Sequence, residues 1–268
     1  MVEIFQNIRE IYDFRRPCEE LSDYIEFFSE SSPMASGRYF VNGHAHAGMF
    51  ASWTPTFYIN LGSPYTIDLN NSRYTIGADD DILILRNGRV TRHILPTDCI
   101  FTVKFFPGGL EAVLGYSQSG LDDRVVQLSQ VLPPALLTRL KKADNFEERY
   151  SIIQEYLLAE RHKRSKKDYY LRMVYDAVGE YNATGMQLNT SQIAERLFLN
   201  SKTINRYFHK VVGISPKAYF AMLRTRAALT MFMQQKEHFD PWIYGYYDHS
   251  HFSKDVFKLT GRRLRGFR

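Results

Sequence analysis

Leu188-Asn189-Thr190-Ser191-Gln192-Ile193-Ala194-Glu195-Arg196-Leu197, followed by Phe198-Leu199-Asn200 and Ser201-Lys202-Thr203-Ile204-Asn205-Arg206-Tyr207-Phe208-His209-Lys210 (188–210), is the stretch that decides the fold. Asn189 and Gln192 stand three apart, as an N-cap acceptor and the side chain that reaches back to it. Ile193, Ala194 and Leu197 continue a helical face, and the small Ala194 lets another helix come close. Asn200 offers a second N-cap. Ile204 and Phe208, four apart, face inward with Tyr207 beside them. Lys202, Asn205, Arg206 and His209 are left outside. The spacing predicts two short helices joined by a turn. An α-helix fits the DNA major groove, and Arg, Lys, Asn or Ser in its first turns reach base edges. A basic amphipathic helix is equally a solvated face, so the segment alone leaves both readings open.

Downstream, Gly213-Ile214-Ser215-Pro216 punctuates the chain. Gly213 suits a left-handed residue after a helix, Ser215 a cap and Pro216 a first helical position. AYFAMLRTRAALTMFMQQ (218–235) then runs without a breaker. A helix of some 20 residues is roughly 30 Å long, close to the roughly 34 Å between successive major-groove faces. Such a strut would set a second reading helix, within GYYDHSHFSKD (245–255), one groove away.

Residues 188–261 resemble the DNA-binding module of the AraC/XylS family of transcriptional regulators. The resemblance rests on Ile193-Ala194-Glu195, Ile204-Asn205-Arg206-Tyr207-Phe208, Gly213-Ile214-Ser215-Pro216, Ala218-Tyr219, Leu223-Arg224, Ala227, GYYDHSHFSKD and Leu259-Thr260-Gly261, in order and spacing. It implies two helix-turn-helix units joined by a long helix, and a sequence-specific regulator, an activator among the family's roles. It places DNA contacts at Lys202, Thr203, Asn205 and Arg206, and at His249, Ser250 and Lys254. The partner implied is double-stranded DNA. FFPGGLEAVLG (105–115) and LDDRVVQLSQVL (121–132) are similar to the sensor-like domain that often precedes the module. That domain implies a small-molecule effector and a homodimer, for which the amphipathic stretch 146–158 is a candidate.

Three positions depart from the family pattern. Phe198 stands in the turn where the family has Gly. Asp240-Pro241 replaces an Ile-Ala pair in the first helix of the second unit, so Asp240 is expected to cap and Pro241 to open a shortened helix. Arg262-Arg263-Leu264-Arg265 follows the last Gly in place of a Pro. Arg262, Arg263 and Arg265 suit phosphates and carry no base code.

Charge divides the chain the same way. Residues 1–160 hold 14 Lys+Arg and 21 Asp+Glu, a net of −7, and residues 161–268 hold 20 and 8, a net of +12. An acidic domain over 1–160 and a basic one over 161–268 are therefore expected, the second with a polyanion as partner.

The acidic part reads as strands: GRYFV (37–41), TFYINL (56–61), YTIDL (65–69), RYTIG (73–77), DILILR (81–86), RVTRHIL (89–95) and IFTVKFF (100–106). They are rich in β-branched and aromatic residues. Asn70-Asn71 and Asn87-Gly88 are hairpin dipeptides. The fold class expected is α+β: a small antiparallel β-barrel, cupin-like, or a sandwich, with trailing helices, then an all-α domain. Tyr39, Phe57, Tyr58, Tyr65 and Tyr74 are core rings or the lining of a ligand cavity. A helix is expected from Phe146, capped by Asp144 or Asn145.

His44-Ala45-His46, with His93 on a later strand, is the one metal-ligand pattern. It supports an alternative, a metal-dependent cupin-type enzyme with a helical accessory domain, but the Glu that a cupin places after the His pair is missing. The main reading has no metal, no cofactor and no enzymatic activity. A third reading is a non-specific DNA-compacting protein. No G-x-S-x-G, Cys-plus-His signature or phosphate loop occurs. With 44% apolar and 24% charged residues, the composition is that of a globular protein. No run approaches 18 apolar residues, and the N-terminus lacks a signal-peptide core. Cys18 and Cys99 lie far apart, which excludes a disulfide scaffold and fits the cytoplasm.

Overall fold

The computed structural model describes residues 12–32, 45–164, 168–235 and 238–267. The chain divides into two compact units that meet at residues 166 and 167. Among the described residues the first holds antiparallel sheets and three helices and the second five helices, so the fold is mixed α+β. No helix among the described residues is long and apolar enough to cross a membrane.

Ten strands build the first unit: β1 (Tyr12–Arg15), β2 (Ile25–Ser31), β3 (Ala45–Met49), β4 (Pro55–Asn60), β5 (Tyr65–Leu69), β6 (Ser72–Ile76), β7 (Ile82–Leu85), β8 (Val90–Ile94), β9 (Ile100–Phe105) and β10 (Val125–Gln127). They pair in two sheets, β1-β2-β9-β4-β7-β10 and β3-β8-β5-β6. Neither closes on itself among the described residues, so the barrel expectation is corrected to an open two-sheet sandwich.

The reason lies at Asn87-Gly88, which forms no hairpin. β7 pairs with β4 and β10, while β8 pairs with β3 and β5. The dipeptide carries the chain from one sheet to the other, and neither residue takes a positive φ. Gly88 is required for space: a Cβ there would overlap the Asn70 side chain, whose Oδ1 accepts from Arg89 N at 2.9 Å. Asn70 itself has φ +54 in the tight β5–β6 turn, as expected.

The six-stranded sheet is buried on both faces, so its strands read as apolar runs. Phe57, Ile59, Phe101, Val103 and Phe105 face the helices α1 (Gly109–Leu114), α2 (Pro134–Lys142) and α3 (Phe146–Lys163). Tyr58, Ile82, Ile84 and Ile100 face the second sheet, meeting Tyr65, Ile67, Leu69 and Val90. α3 starts at Asn145, whose side chain accepts from Glu148 N at 3.0 Å. Its buried Arg149 grips Glu30 of β2 through two bonds of 2.6 and 2.9 Å. Ile152, Ile153 and Leu157 are spent on the same core. The apolar face of 146–158 therefore serves its own unit, and only the polar face carrying Glu147, Glu148, Ser151 and Glu155 is exposed. The expected strand 37–41 lies outside the described residues.

The second unit consists of α4 (Tyr169–Ala183), α5 (Thr190–Arg196), α6 (Ser201–Val211), α7 (Pro216–Gln235) and α8 (His249–Thr260), with 3-10 turns at Pro241–Tyr244 and Leu264–Phe267. Two aromatic clusters organise it. Phe208 meets Tyr219 and Phe220, and Tyr181 stacks on Phe220, in a first lobe. Phe252 meets Phe232, Phe239 and Tyr246 in a second. α7 supplies both clusters along its length, so it is a shared wall of the two lobes.

Candidate nucleic-acid interface

In the first lobe, α5 opens on a complete capping box. Asn189 Oδ1 accepts from Ser191 N and Gln192 N, and the Gln192 side chain accepts from Asn189 N at 2.8 Å. The turn then passes through Phe198 at φ +55. Its amide donates to Glu195 O, and Leu199 N donates to Ala194 O at 2.8 Å, which closes the helix end. Asn200 caps α6 by accepting from Thr203 N at 2.8 Å.

α6 divides sharply. Ile204, Tyr207, Phe208 and Val211 are buried, while Ser201, Lys202, Asn205, Arg206, His209 and Lys210 are exposed. Thr203 is half-buried, its amide used by the cap. The Arg206 guanidinium rests 5.4 Å from the Tyr207 ring and Lys210 Nζ 3.8 Å from the Tyr170 ring. Such cation–π contacts hold long side chains extended while leaving their N–H groups accessible. Lys210 and Tyr170 were not singled out by the sequence; the signal lies in the pairing of two helices, which periodicity does not reveal.

The second lobe repeats the plan with one element reduced. Asp240 Oδ1 accepts from Trp242 N at 2.9 Å, and Pro241 opens a four-residue 3-10 turn where the first lobe has α5. Gly245 makes the turn at φ +69. Asp248 caps α8 by accepting from His251 N at 2.6 Å. His249, Ser250 and Lys254 are exposed, and Phe252, Val256 and Thr260 are buried. Arg262, Arg263 and Arg265 are exposed around a terminal 3-10 turn anchored by the buried Phe267.

The lobes are fastened together. Gln187 Nε2 donates to Ile243 O at 2.9 Å. Arg224 of α7 lies 4.5 Å from the Tyr246 ring and 3.6 Å from the Asp255 carboxylate. Thr225 Oγ1 and Tyr246 Oη are 2.9 Å apart.

The first unit hides a different kind of polar group. Arg92 of β8 is fully buried between the sheets, with Nη2 3.4 Å from Asp98 Oδ2 and the guanidinium 5.5 Å from the Tyr12 ring. Among the described residues its nitrogens and the Tyr65 hydroxyl meet no hydrogen-bond acceptor or donor in good geometry. A second buried cation, Lys104, is paired with Glu26 at 3.0 Å. Burial drives the Asp98 carboxyl upward against the pull of Arg92, and it drives the Tyr65 hydroxyl upward as well. The sequence does carry a signal for Arg92: it shares a strand face with Val90 and Ile94, so a charge sits on an apolar stripe.

The expected metal ligands are not assembled among the described residues. His44 lies outside them and the side chain of His46 is not described. His93 Nε2 is 2.8 Å from Asp68 Oδ2. Arg73 also grips Asp68, at 2.7 Å, and it is the main cause of that carboxyl's lowered pKa. No group of three or more His, Cys, Asp or Glu that could hold a metal occurs among the described residues.

No protein-family model matches the chain and no curated protein matches it. Among solved structures it is similar to ToxT from Vibrio cholerae at 10% identity, covering 96% of this chain and 97% of that one with a TM-score of 0.48. Unsaturated-fatty-acid-bound ToxT from the same species gives 13% identity, 84% and 89% coverage and a TM-score of 0.43. The AraC-like transcriptional activator CuxR gives 14% identity, 90% and 93% coverage and a TM-score of 0.24.

Proposed function

We propose that the chain is a sequence-specific, double-stranded-DNA-binding transcription regulator of the AraC/XylS type, acting in the cytoplasm as a homodimer. α6 and α8 read adjacent major grooves. Lys202, Thr203, Asn205 and Arg206 in the first lobe, and His249, Ser250 and Lys254 in the second, contact bases and phosphates. Arg262, Arg263 and Arg265 hold the backbone. The sandwich of the first unit serves as the sensor and dimerisation part.

The observation that carries this reading is the division of α6. Its exposed face holds only donors and cations, while its opposite face is locked by Phe208 into an aromatic core. A helix so built presents hydrogen-bond donors in a fixed register, as base recognition demands. A small-molecule effector for the first unit is part of the same reading.

In-vitro selection of random duplexes with the full-length protein is the test. Enrichment of a bipartite sequence with half-sites about one helical turn apart is expected. Binding that stays equal for all sequences at physiological salt would leave a non-specific binder instead.

A further inference from the structure

Two aromatic rings stand largely in solvent. Phe198 is 98% exposed and takes φ +55, a conformation that disfavours every side chain. Its ring meets no other ring among the described residues, and glycine would fill the turn without strain. Tyr247 in the second lobe is 73% exposed, its ring 5.4 Å from that of Trp242.

Both lie in the turn that leads into a reading helix, though at different steps of it: the turn residue equivalent to Phe198 is Gly245. Phe198 precedes the α6 cap Asn200 by two residues, and Tyr247 precedes the α8 cap Asp248 by one. Ser201 and Lys202 open α6 and His249 and Ser250 open α8, all four exposed. Each ring is bordered by donors and cations at the leading end of a reading helix. Those groups call for a partner rich in acceptors and negative charge. A DNA duplex neutralises them, and its major groove offers one apolar group, the thymine 5-methyl.

We propose that Phe198 and Tyr247 are specificity-determining residues that pack on thymine methyl groups, one in each half-site. This rests on the reading of α6 and α8 as the groove-entering helices. A side chain kept in a left-handed, solvated position gains its contact only in a bound state.

The test uses the full chain and a duplex obtained by in-vitro selection, with each thymine in turn replaced by deoxyuridine, which lacks only the methyl. The wild type should bind about fivefold more weakly when one particular thymine in each half-site is replaced, a loss in the range of a lost base contact. Phe198→Gly should melt at a higher temperature than the wild type, yet bind thymine and uracil equally in the first half-site. Tyr247→Ser should do the same in the second half-site with melting unchanged. Full thymine discrimination by both variants, or no uracil effect anywhere in the wild type, would overturn the proposal while leaving the regulator reading intact. Failure to enrich any sequence would overturn both.

Discussion

In the first lobe the scaffold before the reading helix is a seven-residue α-helix with a complete capping box; in the second it is a four-residue 3-10 turn opened by a proline. The turn that follows is Phe198 in one and Gly245 in the other, both with positive φ. Three things are the same. Each reading helix begins on an Asx cap, each buries a phenylalanine completely, and each docks on α7. The comparison teaches which parts of the plan carry weight. The supporting helix can shrink to a turn, because an aspartate cap and a fixed proline φ still deliver the chain to the same place. The cap and the aromatic anchor of the reading helix have no such substitute.

The largest effect should come from those anchors. Phe208→Ala and Phe252→Ala each leave a cavity in a fully buried core, and each should cost about 3–5 kcal/mol. Urea denaturation followed by the fluorescence of Trp242, which lies in the second lobe, separates the two once the other tryptophan, Trp53 of the first unit, is replaced by Tyr. If Phe208→Ala shifts the Trp242 transition as far as Phe252→Ala does, the lobes melt as one and the distinction drawn above is local only.

Smaller effects are expected on DNA. Arg206→Ala should weaken binding to a selected target by about 1–3 kcal/mol, with relaxed preference at one base pair. Replacing Arg263 and Arg265 should weaken all sequences alike and lower the salt slope by about one for each lost phosphate contact. Filter binding over a salt series distinguishes these. An unchanged slope would show that the arginines of the second lobe stand clear of the backbone.

The caps come next. Asn200→Ala and Asp248→Ala should each cost about 1 kcal/mol, measured by thermal unfolding. Unequal losses would mean that the reduced second lobe leans harder on its remaining cap.

The turn residues give the smallest effects and the cleanest contrast, since their signs are opposite. Phe198→Gly should stabilise the protein by about 1 kcal/mol, and Gly245→Ala should destabilise it by a similar amount. Both positions are left-handed, and a Cβ at Gly245 would also press on the Gln187 side chain at 3.2 Å.

Where the chemistry is local, the sequence was readable. Asn189 with Gln192, Asn200, and Asp240 with Pro241 each announce a helix start through side chains a few residues apart, and each cap forms. The strands from β4 to β9 follow from runs of β-branched and aromatic residues. Their partners did not follow. Asn87-Gly88 has the composition of a hairpin, yet the order of the sheets is set by contacts of β7 with β4 and β10 that no dipeptide encodes. β1, β10 and α1 passed without an expectation, because short elements have too few residues to show a period, and β2 and α2 because their polar residues (Glu26, Ser29 and Glu30; Thr138 and Arg139) interrupt the apolar pattern. The exposed face of α6 was legible from helical spacing. Arg92 was legible as a charge on the apolar stripe of Val90 and Ile94, but its pairing with Asp98 was not, since that depends on how the chain returns between the sheets.

If α6 and α8 enter DNA as proposed, the clasp between Gln187 and Ile243, together with Arg224 on Asp255 and Tyr246, has a consequence for the genome rather than for the protein. A stiff two-pronged reader has one pitch. Inserting a single base pair between its half-sites turns the second by roughly 35° about the duplex axis, and a clasped pair of prongs cannot follow. Operators for such a protein would tolerate base changes far better than changes in length.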